Sequence, residues 1–284
     1  MNKNTTATSL GDLSQSERRA VNGWCIYDWA NSAFATSNGT AILPVYFVML
    51  FQDSFGDQAS FLGFSITSSS LWSLALAAST AIVAITSPVL GVIADRTSIK
   101  KTLLWTYALT GSLFTLLSFF AAYTGAPWAW LLGCFVIANI GFAGGNVFYN
   151  AFLPHLVPRH MLDQASSRGF AYGYIGGGLL LAIHLAAILS FKDSPHIDLV
   201  TRIAISSVGI WWFGWALWTF KTVPEPVLHV SSASFDSKTA IREAFSELTA
   251  TFKELTRFRA LLIYLVAYLL FTDGTATVLG VAGA

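Results

Sequence analysis

Seven apolar runs, at residues 24–51, 71–94, 102–123, 128–152, 169–191, 203–220 and 261–281, set the terms for this chain. About 17–25 apolar residues cross a bilayer as a helix, and each run reaches that length. In lipid only helices and closed barrels satisfy their own backbone polar groups, and uninterrupted runs of this length are helical. The 284 residues are 54% hydrophobic and 11% charged, against about 25% charged in soluble domains. The expected fold class is therefore an all-α membrane protein. A net charge of +1 gives no footing for nucleic acid. Cys25 and Cys134 lie in separate apolar runs and read as small core residues rather than a disulfide or zinc pair.

The connections alternate in charge. Lys3, Arg18 and Arg19 precede the first run, and Arg96, Lys100 and Lys101 follow the second. Arg159 and Arg168 lie between the fourth and fifth, and six more basic residues surround the sixth-to-seventh connection. Fourteen of the 16 basic residues thus fall on one side, with only Lys192 and Arg202 on the other. The positive-inside rule puts the N-terminus and the long connection in the cytoplasm. The expected plan is a disordered tail over 1–20, a six-helix bundle over 21–220, a linker over 221–257, and over 258–284 the first helix of an incomplete second bundle. In the linker Ile241, Phe245, Leu248, Phe252 and Leu255 recur at helical spacing, as in an amphipathic surface helix.

The first run is the awkward one, because it carries Asp28, Asn31 and Asn38. An acid at the centre of a membrane helix costs about 2.5–3.5 kcal/mol on insertion scales and usually faces protein or a water-filled path. At helical spacing Asp28, Asn31, Ala35 and Asn38 share one face. In the fourth run Asn139, Asn146 and Asn150 form a stripe beside Tyr149. Interhelical hydrogen bonds in membranes average about 0.6 kcal/mol, so helix association alone is a modest reason for three amides. The set reads as a solute or ion path, with Asp273 of the seventh run as the second buried acid. The fifth run carries Gly169, Gly173 and Gly177 at four-residue spacing, a face for close helix packing. His184 in the same run reads either as a hydrogen-bonded bundle residue or as a proton relay.

Between the second and third runs stands Gly91-Val-Ile-Ala-Asp95-Arg96, followed by Lys100-Lys101. This resembles the cytoplasmic gate motif of the major facilitator superfamily, which usually has a second glycine and a further basic residue where this chain has Ser98 and Ile99. Asp95 at a helix C-terminus opposes the macrodipole unless cations compensate it, and Arg96, Lys100 and Lys101 are placed to do so. Gly91 reads as a close-packing position.

Further stretches are similar to the vacuole-effluxer branch of that superfamily, the autophagy-related amino-acid exporters and their bacterial relatives. They are Tyr27-Asp-Trp-Ala-Asn-Ser-Ala-Phe34, Tyr149-Asn-Ala-Phe-Leu-Pro154, the run from Ser167 to Gly178, and Trp211-Trp212. The segment Tyr268-Leu-Leu-Phe-Thr-Asp273-Gly274 resembles the branch's seventh-helix acid, with Thr272 in place of a polar amide. The resemblance implies twelve helices in two six-helix halves and export of amino acids. This chain would then hold helices one to seven and be truncated after the seventh.

The expected function is secondary transport of a small solute, amino acids among the candidates, by rocking two bundles around a midplane site. Arg168 reads either as an ion-pair partner of Asp95 or Asp28 or as a positive-inside anchor, and a proton is the expected coupling ion. No metal or organic cofactor is expected, and no enzyme-like triad or phosphate loop is present. Missing helices would come from a second polypeptide or a longer gene product. The competing reading is a non-transporting half-transporter or membrane assembly partner. The expected membrane is the inner membrane of a bacterium or the vacuolar membrane of a fungus.

Overall fold

Ser14 opens the first membrane span. Its hydroxyl accepts from the Glu17 backbone N–H at 3.3 Å, while the Glu17 carboxylate accepts from the Ser14 N–H at 3.0 Å. This reciprocal cap satisfies two of the donors that a helix N-terminus leaves open. The computed structural model describes residues 9–61, 63–226, 246, 249–250, 253–254 and 257–281. Folding starts earlier than the expected tail allows. Leu10–Asp12 is a 3₁₀ turn, Leu10 and Leu13 are buried, and the Leu10 N–H reaches Gln164 Oε1 at 3.3 Å.

The first span is α1 (Gln15–Ala33), a π-helical stretch Phe34–Ala41, and α2 (Leu43–Phe55). Local chemistry explains the interruption. Pro44 lacks the N–H that an α-helix would offer one turn back, and Gly39 is a weak helix former. The Thr40 hydroxyl donates to the carbonyl five residues back, Ala35 O, at 3.0 Å, and Ile42 N–H reaches Ser37 O at 2.8 Å. These five-residue steps shift the phase of everything beyond Phe34 relative to an α-helix.

A hairpin follows, β1 (Gln58–Phe61) and β2 (Phe64–Thr67), antiparallel with Ala59 opposite Ile66. Gly63, with φ of +85°, sits in its turn. Then come α3 (Ser68–Thr97), α4 (Lys100–Leu117) with a 3₁₀ extension to Tyr123, α5 (Pro127–Leu156), α6 (Leu162–Ser190), α7 (Ile197–Thr222) and α8 (Arg259–Val281). Six helices among the described residues are long and apolar enough to cross a membrane. The result is an all-α membrane bundle with one small hairpin.

Packing is arranged around α1 and α5. α1 lies against α6 and α7, α4 against α5 and α7, and α3 against α5. The core includes Trp72 stacked on Phe135 at 4.0 Å and Phe34 against Trp212 at 5.6 Å. α8 touches α3 and the π-helical stretch, and its side chains from Arg259 to Thr272 are exposed. The amphipathic positions Ile241, Phe245, Leu248, Phe252 and Leu255 lie outside the described residues.

Candidate functional site

A half-open cavity of about 570 Å³ lies between α1, α5 and α6. α1 contributes Trp24, Asp28 and Ser32 at four-residue spacing, and the π-helical stretch adds Ala35, Thr36, Thr40 and Ala41. α5 contributes Phe142, Asn146, Tyr149 and Asn150, and α6 contributes Ser166, Phe170, Gly173, Tyr174 and Leu181. The volume falls in the range of small-molecule sites, about 300–1,000 Å³, and the mix of apolar wall with a few polar groups is typical of them.

α6 comes this close to α1 because its facing residues lack side chains. A Cβ at Gly173 would lie 2.6 Å from Ser32 Oγ and 2.9 Å from Asp28 Oδ2, and one at Gly177 would lie 2.9 Å from the Ser32 carbonyl. Gly169 faces Trp24 and the Tyr149 hydroxyl. Asp28 itself sits in the fourth turn of α1 and is half-buried. Among the described residues no ion pair reaches it. Asp28, Asn146, Asn150, Trp24, Tyr149 and Phe170 therefore line one half-open space. Such a set can accept from an ammonium group, donate to a carboxylate, and cover an apolar body.

Two contacts fix the inner wall. The Trp24 indole N–H donates to the Tyr149 carbonyl at 2.9 Å, and the Asn31 amide nitrogen donates to Asn146 Oδ1 at 2.7 Å. Asn31 is thereby behind the cavity wall rather than in it. Asn38 and Asn139 do not line the cavity at all. Asn38 is beyond the start of the π-helical stretch, so its face turns away, and its amide donates to Ile205 O on α7 at 3.2 Å. Asn139 donates to Ser79 Oγ on α3 at 2.8 Å. His184 is buried between Ser37 (3.4 Å) and Ser207 (2.9 Å), which makes it a bond between the first span, α6 and α7. The Asp273 side chain lies outside the described residues.

The Gly91–Lys101 segment sits at the end of the bundle where α7 closes beside the early turns of α1, with Lys101 bonded to Val223 and Gly23 packed on Thr222 and Val223. Lys100 Nζ pairs with Asp95 Oδ1 at 2.6 Å and lies 3.4 Å from His155 Nε2. Asp95 ends α3 and Lys100 begins α4, so each offsets a charge that the other's helix dipole disfavours. Lys101 does not join them. Its Nζ donates to Val223 O and its backbone N–H to Glu225 Oε2, both at 2.8 Å. The Glu225 carboxylate thus caps α4 from beyond the end of α7, a role with no local signal in the sequence. Gly91 is not a close-packing position here, since a Cβ on it would meet nothing within 4 Å. The Arg96 side chain lies outside the described residues. Arg168 forms no ion pair with Asp95 or Asp28 among the described residues; its guanidinium lies 5.7 Å from the Tyr172 ring centre, one turn on.

Residues 16–284 match the family described as vacuole effluxer Atg22 like. The chain is 30% identical over 266 residues to the uncharacterized MFS-type transporter YxiO of Bacillus subtilis (strain 168), which covers 91% of this chain and 58% of that protein. It is 23% identical over 353 residues to autophagy-related protein 22-1 of Phaeosphaeria nodorum, covering 95% of this chain and 61% of that protein. It is also 31% identical over 163 residues to autophagy-related protein 22 of Pichia angusta, over 49% of this chain and 29% of the relative. The chain therefore spans about three fifths of the length of the first two relatives. The match runs through every described membrane helix and the whole cavity wall, and the chain belongs to the vacuole effluxer Atg22-like family of the major facilitator superfamily.

Proposed function

We propose that this chain forms the solute-binding half of a secondary transporter that moves small solutes, amino acids among them, by alternating access. The observation that carries this reading is the cavity itself. A carboxylate without an ion-pair partner among the described residues, two amides and several aromatic rings line one half-open cavity between membrane helices. Asp28, Asn146, Tyr149 and Asn150 contact the solute, with Asp28 holding its ammonium group or a coupling proton. Asn31 positions Asn146. Asp273 is a further acid on the solute path, and the Asp95–Lys100 pair is part of the gate at the basic end. That end faces the cytoplasm, as the distribution of Lys and Arg favours. The transporter needs no metal or organic cofactor, and its partners are the solute, a proton, the bilayer and the helices that complete the second bundle.

Proteoliposomes that carry this chain together with the helices completing the second bundle, loaded with a radiolabelled amino-acid mixture, test this reading. Efflux above protein-free vesicles, reduced by Asn150→Ala, is the expected result. Efflux indistinguishable from protein-free vesicles contradicts it and favours an assembly role for the chain.

A further inference from the structure

A second, smaller cavity of about 270 Å³ adjoins the first at Ala41, which lines both. It lies on the far side of the π-helical stretch, between α2, the end of α6 and the start of α7. Its wall is mostly apolar, with Val45, Met49, Leu185 and Ile188; Thr201, whose hydroxyl donates to Ile197 O, also lines it, and Tyr46 and Asp198 meet at one end. The Tyr46 hydroxyl donates to Asp198 Oδ1 at 2.6 Å, and Arg202 Nε donates to Asp198 Oδ2 at 2.9 Å.

The two charges of this ion pair are unequally placed. The Arg202 side chain is 8% exposed, bonded to Phe119 O at 3.2 Å and covered by the Phe119 and Tyr123 rings at 5.1 and 5.3 Å. The Asp198 side chain is 49% exposed. The guanidinium is thus sealed in protein while the carboxylate remains open to the cavity. Arg202 and Tyr46 each use one donor on Asp198, and a carboxylate can accept about four. A positioned carboxylate with open acceptor sites at the end of an apolar crevice matches a primary ammonium on an apolar tail. The volume, just under the range of about 300–1,000 Å³ for drug-sized ligands, sets the scale at a short amphipathic amine or the head and first carbons of a lipid.

We propose that this crevice is a second binding site, separate from the central cavity, for primary ammonium compounds with an apolar tail. Asp198 takes the ammonium group, and Val45, Met49 and Leu185 take the tail. The ammonium can come from a soluble amine or from a phosphatidylethanolamine headgroup.

The test uses the full chain in phosphatidylcholine nanodiscs, with Met49→Cys as a reporter in the crevice and Tyr174→Cys as a reporter in the central cavity. Cys25 and Cys134 are buried, and the chain without a reporter measures their background. Hexylammonium should slow maleimide labelling of the Met49→Cys reporter at concentrations about tenfold lower than 1-hexanol, the factor expected for one charge-assisted hydrogen bond. Asp198→Glu should keep that advantage and Asp198→Asn should lose it. Asp28→Asn should leave protection of the Met49→Cys reporter intact while removing it from the Tyr174→Cys reporter. Should Asp198→Asn fail to fold with Arg202 unpaired, the alcohol comparison still decides. Slower labelling on adding phosphatidylethanolamine, with no amine present, identifies the lipid as a source; no change identifies the soluble amine. Equal protection by hexanol and hexylammonium overturns the proposal, as does unchanged protection in Asp198→Asn or loss of crevice protection in Asp28→Asn. The readouts on the Met49→Cys reporter need neither transport nor the central cavity, so they stand or fall apart from the transporter reading, which only the Tyr174→Cys reporter shares.

Discussion

The indole of Trp24 lies flat on the ring of Tyr149, with centroids 4.5 Å apart and planes 8° from parallel, while its N–H donates to the Tyr149 backbone carbonyl at 2.9 Å. One side chain thus joins α1 to α5 by both its face and its edge, at the rim of the central cavity. Replacing Trp24 by Phe keeps much of the stacking and removes the hydrogen bond, and should cost about 0.5–1.5 kcal/mol. Replacing it by Ala should cost about 3–5 kcal/mol, since a 3%-exposed aromatic is lost. Thermal unfolding of the two variants in detergent should rank them in that order, and equal melting temperatures would contradict the dual role.

Gly173 sets the spacing between α1 and α6. A Val side chain there meets Ser32 Oγ and Asp28 Oδ2 from its first carbon, at 2.6 and 2.9 Å. Gly173→Val should destabilise the bundle by about 1–3 kcal/mol, the usual range for overpacking. It should also weaken solute binding in the central cavity, whereas Gly178→Val, at a position open to its surroundings, should change neither. Melting temperature and equilibrium binding of a labelled amino acid check both.

Lys100 is nearly buried, with 7% side-chain exposure, while Asp95 is 64% exposed. Asp95→Asn leaves the ammonium beside His155 without its counter-charge. The cost should be about 1–2 kcal/mol, below the 3–5 kcal/mol of a fully buried pair because water still reaches the aspartate side. Lys100→Met together with Asp95→Asn should recover most of that loss. A double-mutant cycle on unfolding free energy decides, and additive effects would remove the coupling.

Ser98 occupies the left-handed region, with φ of 52° and ψ of 41°, in the two-residue link between α3 and α4. A non-glycine residue there is strained by roughly 1–2 kcal/mol. The resembled gate motif has a glycine in this turn, and Ser98→Gly should raise stability by up to about 1 kcal/mol, net of the added freedom of the unfolded chain. A lowered melting temperature would contradict this.

The membrane spans were legible because hydrophobic length is a property of the chain alone. The polar positions were legible only where the helix stayed regular. Asp28 and Ala35 face the cavity as helical spacing requires, but Asn38 lies in the π-helical stretch and turns to Ile205 O. Pro44 and Gly39 were the available signal for that shift, although neither dictates a π-helix rather than a kink. Asn139 shows a different limit. It shares a stripe with Asn146, yet Ser79 on α3 takes its amide, and periodicity within one helix carries no information about which neighbour each turn meets. The same holds for Glu225, which caps α4 across 124 residues of sequence, and for Gly91, whose neighbours only the packing reveals. Arg168 had two acids within reach by sequence logic; Lys100 holds one, and Arg168 instead lies over Tyr172.

The central claim is that Asp28 and the amides beside it hold a transported solute. Efflux of radiolabelled amino acids from proteoliposomes, compared between the transporter completed by the second-bundle helices and its Asp28→Asn variant at equal reconstituted amounts, tests it most directly. The account predicts efflux with Asp28 in place and at least a tenfold loss, about 1.4 kcal/mol, in the variant. Equal efflux from both would contradict it.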